Sequence, residues 1–98
     1  MELLVGLLVL DDAGYAAYRA AMAPILMRYD GGFRYDFRVA EVLASATPEP
    51  INRVFTIGFP SEAQLEGFFA DPEYLAVKEQ HFAGSVGATT ILARYPRP

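Results

Sequence analysis

The sequence predicts an α+β domain in the order β-α-β-β-α-β, a four-stranded antiparallel sheet with its helices on one face. Three observations predict it. The opening stretch Glu2–Asp12, ELLVGLLVLDD, is apolar at both parities of a strand. Two later stretches, about 13–29 and 62–82, carry apolar residues at helical spacing behind capping residues. Between them lie two alternating segments joined by a turn, 46–50, that contains two prolines.

The first strand places Leu4, Gly6, Leu8 and Leu10 on one face and Leu3, Val5, Leu7 and Val9 on the other. A sheet with one wet face alternates apolar with polar residues, so both faces of this strand need cover. Asp11 and Asp12 close the strand and offer an N-cap, with negative charge at the positive end of the helix dipole. Tyr15, Tyr18, Met22, Ile25, Leu26 and Tyr29 then form one helical stripe. Pro24 cannot donate to the carbonyl of Ala20, which predicts a kink or a second short helix there. Gly31-Gly32 is expected to end the helix in left-handed geometry.

Phe33–Ser45 reads as a long strand, with Phe33, Tyr35, Phe37, Val39, Glu41 and Leu43 on one face. Arg34, Asp36 and Arg38 alternate on the opposite face. Ile51–Phe59 folds back antiparallel, which sets Arg53 opposite or diagonal to Glu41. Ser61 to Gln64 is a capping box. Asp71-Pro72 is a second helix start, so the region divides into pieces at about 62–69 and 72–82, ending near Gly84. In the second piece Leu75 and Phe82 mark one stripe, and Tyr74, Lys78 and His81 the neighbouring one. Gly87–Tyr95 is the last strand, and the tail Pro96-Arg97-Pro98 cannot continue a central ladder. This order is the ferredoxin-like plan, one domain over residues 1–98 with the first and third strands central. Helices cover one apolar side of the opening strand, and a second copy of the chain, sheet against sheet, is the expected cover for the other.

Composition supports a partner. Of 98 residues 53% are apolar, including seven Phe and six Tyr, more than so small a core readily hides. A net charge of −4, without a Lys/Arg cluster, argues against nucleic acid or an anionic membrane surface. The absence of cysteine removes disulfides, thiolate nucleophiles and Cys-based metal sites, and the single His rules out a His-rich site within one subunit. Residues 3–10 are too few to span a bilayer and lack a signal peptide's basic start, so the expected setting is the cytoplasm.

The run GFPSEAQLEGFFADPEYLAVKEQHF (58–82) resembles the FPS…FF…DPEY…K pattern of an uncharacterised domain-of-unknown-function family. That family belongs to the dimeric α+β barrel superfamily, near the antibiotic-biosynthesis monooxygenases and EthD-like proteins. Tyr29-Asp30-Gly31-Gly32-Phe33 is similar to the family's helix-to-strand turn, and the similarity covers nearly the whole chain. The resemblance implies two ferredoxin-like subunits whose sheets close into a shared barrel, with a pocket in each between sheet and helices. Relatives in the superfamily include cofactor-free monooxygenases, lactone isomerases and haem-binding enzymes. The clearest words of the resemblance, Phe59-Pro60-Ser61 and Asp71-Pro72-Glu73-Tyr74, are helix starts that specify fold rather than function. Because that family has no settled activity, the resemblance carries over no catalytic residue.

Candidate chemistry rests on few side chains. His81 is the one group that ordinarily titrates near neutrality, a general acid/base or axial haem ligand in one reading and a helix-end cation in the other. Glu41 is a candidate base with Arg53 as oxyanion partner; as a cross-strand ion pair the two have no chemistry. Arg38 is a candidate anion-binding residue on an edge strand whose charges also discourage stray pairing. Tyr18 and Tyr35, with Tyr15 and Tyr29, bring phenols to surfaces that otherwise read as core and could line a cavity. Gly31-Gly32 follows a helix and so is no phosphate loop, and Ser61 and Ser85 lack a nucleophile's context. The expected function is a small homodimer without bound cofactor or metal. It acts as an oxygenase or isomerase on a hydrophobic or aromatic metabolite, or as a non-catalytic binding or assembly module.

Overall fold

The structure, a computed structural model, describes residues 1–97. Its elements are β1 (Glu2–Val9), α1 (Asp12–Arg28), β2 (Gly32–Arg38), β3 (Arg53–Gly58), α2 (Glu62–Ala70), α3 (Pro72–Val77), a π-helical turn Lys78–Phe82, and β4 (Val86–Tyr95). The four strands form one sheet in the order β2-β3-β1-β4, every neighbouring pair antiparallel. Thus β1 and β3 are the inner strands. The last residue of the proline tail, Pro98, lies outside the described residues.

The inner face of β1, Leu3, Val5, Leu7 and Val9, is buried against the helices. From α1 it meets Tyr15, Tyr18, Met22, Ile25 and Leu26, the stripe that helical spacing assigns to the core. Burying each such side chain is worth about 1.5–3 kcal/mol relative to exposure. Asp11 caps α1, its carboxylate accepting from the Gly14 N–H at 3.1 Å. Pro24 does not break α1, which runs unbroken from Asp12 to Arg28. Pro24 is exposed, so its ring clashes with nothing packed on the helix.

The end of α1 departs from expectation. No glycine has positive φ; Asp30 does, at 55°. The N–H of Asp30 donates to Met27 O and that of Gly31 to Leu26 O, both at 3.1 Å, the paired bonds of a Schellman turn. Gly31 is needed for space instead. A Cβ there would lie 2.4 Å from Leu26 Cδ1 and 2.7 Å from the Phe59 ring.

The long second strand is also corrected. β2 stops at Arg38 and residues 39–52 form a loop. Asn52 explains the stop. Its side chain accepts from Val9 N at 2.7 Å and donates to Val9 O at 2.9 Å, while its backbone N–H donates to Leu7 O. These bonds seal the end of β1, so the chain before Asn52 is not drawn into a ladder.

The sheet register shifts at three places, and two of the shifts redistribute the side chains around the helix face. Arg34 and Tyr35 together oppose Thr56, whose Oγ1 accepts from both backbone N–H groups at 3.3 and 3.0 Å. Phe33, Asp36 and Arg38 therefore face the helices, and Tyr35 and Phe37 stack on the opposite face with ring centroids 5.8 Å apart. In β4 the register shifts at Leu92, so Thr89, Ile91 and Arg94 share the helix side.

Ser61 caps α2 as expected, its Oγ accepting from Gln64 N at 3.2 Å, but the capping box is not closed: Gln64 Oε1 accepts from Ser61 Oγ at 3.1 Å. Asp71 caps α3, its Oδ1 accepting from Glu73 and Tyr74 N–H groups at 2.8 and 3.2 Å. Tyr74, not Leu75, points inward: Tyr74 is 3% exposed and Leu75 47%.

The helix-free face is partly covered by the chain's own loop. Ile51 lies against Gly6, where a Cβ would meet its Cδ1 at 2.8 Å. Glu2 is fully buried on this face, held by Arg34 Nε and Nη2, both at 2.7 Å, and by the Tyr95 hydroxyl at 2.6 Å. Tyr35, Phe37, Val42, Leu43 and Leu92 stay exposed.

Candidate functional site

A cavity of about 350 Å³ lies between the helices and the inner sheet face. Leu3, Val5, Phe55 and Ile57 form its floor, and Tyr15, Tyr18 and Met22 of α1 its roof. Tyr74 and Phe82 bound it on the α3 side, and Thr89, Ile91 and Arg94 line it from β4. Ile91 is 54% exposed although it lines the cavity, which places the opening along the β4 edge. Volume and mostly apolar wall match a small-molecule site.

The local sequence builds this wall by spacing. Tyr15 and Tyr18 are three apart on α1 and stack at 5.8 Å. Tyr74, Lys78 and Phe82 recur every four residues, and all three line the cavity. The π turn after α3 closes with Ala83 N donating to Lys78 O at 3.1 Å. It sets Phe82 against Tyr18, ring centroids 4.9 Å apart.

The polar groups are few and ordered. The Tyr18 and Tyr74 hydroxyls are 2.8 Å apart in a buried pair. Burial pushes the pKa of both phenols up, so both keep their protons at neutral pH. Tyr15 accepts from Arg19 Nη1 at 2.8 Å, and its phenol is likewise pushed up by burial. The Arg19 guanidinium lies 3.7 Å over the Phe33 ring, a cation–π contact, and reaches Asp36 at 3.1 Å. Asp36 also accepts two bonds from Arg53, at 2.7 and 2.8 Å. These bonds, those of Arg53 first, hold the Asp36 carboxyl below its ordinary range. Among the described residues, every charged side chain lining the cavity is a cation: Arg19, Lys78 and Arg94.

The residues singled out by sequence are dispersed. Tyr18 lines the cavity. Tyr35 is 51% exposed on the helix-free face. Arg38 borders a polar cleft of about 220 Å³ with Asp12, Asn52 and Arg53. Arg53 pairs with Asp36 rather than Glu41, because the loop carries Glu41 away; Glu41 borders a shallow depression on the helix-free side. His81 is half-buried and outside the cavity lining, and its carbonyl accepts from Ser85 Oγ at 2.7 Å. Arg19, Lys78 and Arg94 carry no mark in the sequence as site residues. The available signal was the four-residue spacing of Arg19 from Tyr15 and of Lys78 from Tyr74 and Phe82. Among the described residues no three His, Cys, Asp or Glu side chains gather as a metal site.

Comparison with known proteins places this geometry. A family described as Domain of unknown function (DUF1330) matches residues 3–95. No curated protein matches the chain. Among solved structures it is similar to RPA0582, a protein of unknown function from Rhodopseudomonas palustris. That match has a TM-score of 0.81 at 19% identity and covers 99% of this chain and 82% of that one. It is also similar to methylated RPA0582, with a TM-score of 0.79 at 19% identity, covering 99% of this chain and 80% of that one. At such identity the likeness speaks for the fold alone, a small α+β structure with a four-stranded antiparallel sheet and three helices.

Proposed function

This chain belongs to the DUF1330 family, a domain of unknown function, and we propose that it is a one-domain protein that binds a small hydrophobic or aromatic metabolite between sheet and helices. The observation that carries this is the cavity of about 350 Å³, apolar except for phenols, cations and Thr89 at its wall. The family's unassigned activity leaves the reading to rest on that geometry. His81 and Glu41 stand outside the cavity, so binding is better supported than proton transfer by either. A cofactor-free isomerase or oxygenase is the second reading. The Tyr18–Tyr74 pair favours it, since hydroxyls in an apolar wall can orient an oxygen that gains charge.

We propose further that the strand order β2-β3-β1-β4 is the ferredoxin-like plan and that two copies pair through the helix-free sheet face. Tyr35, Phe37 and Leu92 on that face, with Val42 and Leu43 of the loop, are exposed apolar side chains that a second copy would cover. No helix among the described residues is long and apolar enough to cross a membrane.

The test is ligand-observed NMR with a panel of aromatic acids, their neutral analogues and lactones, run on the wild type and on Ile91→Trp. Ile91 is half exposed at the cavity's edge, so the larger ring closes the opening without disturbing the core. Expected is binding to the wild type that the variant loses. Binding that persists unchanged in Ile91→Trp removes the cavity as its site.

A further inference from the structure

The cavity wall holds more hydrogen-bond donors than it has acceptors for. Tyr18 and Tyr74 share one hydrogen bond, which uses one of their two hydroxyl protons. The other has no acceptor among the described residues. Tyr15 uses its hydroxyl oxygen to accept from Arg19, and its own proton also has none. Two phenolic protons are therefore left over on one wall.

The charges point the same way. In a chain of net charge −4, the charged residues lining this cavity are Arg19, Lys78 and Arg94, with no carboxylate among the lining residues. Arg19 is engaged by Asp36 and Arg94 by Glu62, both acids outside the lining. Lys78 has no carboxylate within 4 Å among the described residues. Its ammonium lies 5.9 Å from the centre of the Phe82 ring, which itself lines the cavity.

From these two observations we infer that the ligand is an amphiphilic anion, an apolar or aromatic body carrying a carboxylate, whose charge is met by Lys78 and whose oxygen accepts a spare phenolic proton. A neutral ligand of the same shape fills the apolar floor equally well but leaves Lys78 unmatched. A carboxylate accepts from both kinds of donor at once, and bonds to a charged group are the stronger class. This inference rests on the cavity being the binding site, and it narrows what enters.

The experiment pairs each of a panel of aromatic and aliphatic carboxylates with its own primary amide, of nearly equal size. Affinities are measured by titration on the wild type and on Lys78→Met, which keeps an unbranched apolar side chain and removes the ammonium. Lys78 is exposed, so the substitution leaves the core intact. Expected is a carboxylate preference of about tenfold in the wild type that falls to about twofold in Lys78→Met, carboxylate affinity falling further than amide affinity. Carboxylate and amide binding alike in the wild type overturns the inference while leaving the cavity as a binding site. An undiminished preference in Lys78→Met overturns the role given to Lys78. Binding of neither class removes the cavity reading, and the inference with it.

Discussion

The phenol oxygens of Tyr18 and Tyr74 meet at 2.8 Å inside the molecule, tying α1 to α3 across 56 residues of chain. Removing one hydroxyl strands the other in a buried site, which costs about 1–3 kcal/mol. Tyr18→Phe and Tyr74→Phe should each destabilise the fold by about that amount. The double variant should lose less than the sum of the two, because no unpartnered hydroxyl remains. Chemical denaturation of the four proteins reads the coupling directly. Strict additivity would mean that the bond contributes nothing in solution.

Asp36 is the shared partner of Arg19 and Arg53, and all three side chains are less than a third exposed. Asp36→Asn leaves two guanidiniums facing each other without their acid. The expected loss is about 1–2 kcal/mol at low salt, and smaller at high salt where repulsion is screened. Urea midpoints at the two ionic strengths check this. Arg53→Gln should cost less than Asp36→Asn, because one arginine then still holds the acid.

Glu2 sets an acid limit. Its bonds from Arg34, then from Tyr95, hold its carboxyl down at about 2 against an ordinary value of 4.5. A depressed folded-state value stabilises above the unfolded value, and that contribution is lost as pH falls from 4.5 through about 2. Glu2→Gln should therefore be less stable than the wild type at neutral pH, by about 2 kcal/mol. The difference should shrink steadily across that acid window. Thermal melts of both proteins along a pH series measure it, and a gap independent of pH would contradict the assignment.

Pairing of two copies through the helix-free face has a direct readout. Sedimentation of the wild type at micromolar concentration should give twice the chain mass. Phe37→Glu should shift it toward single chains while leaving the far-ultraviolet spectrum unchanged, since Phe37 is 56% exposed in one copy. A single-chain wild type would dismiss the pairing and leave the inner cavity untouched.

Much of the fold was legible because its signals are local. Asp11, Ser61 and Asp71 cap the helices that the local sequence assigns to them, and each bond spans only two or three residues. Gly31 shows the limit of such reasoning. A glycine after a helix suggests left-handed geometry, yet Asp30 takes that geometry and Gly31 is there because Leu26 and Phe59 leave no room. The crowding comes partly from Phe59, which is distant in sequence. The site was read less well for the same reason: Arg19, Lys78 and Arg94 converge from a helix, a π turn and an edge strand.

Periodicity and caps, which need only neighbouring residues, determined the order of elements and the doubly apolar opening strand. The tertiary structure alone decided which side chains face the cavity. At the bulge Thr56 accepts from the backbone N–H groups of both Arg34 and Tyr35, and in β4 Leu92 is the extra residue between the partners of Leu4 and Val5. A strand has a period of two, so one inserted residue reverses every side chain beyond it. That is why Tyr35 turns away from the cavity, and why Asp36 meets Arg53 in the place that alternation assigned to Glu41.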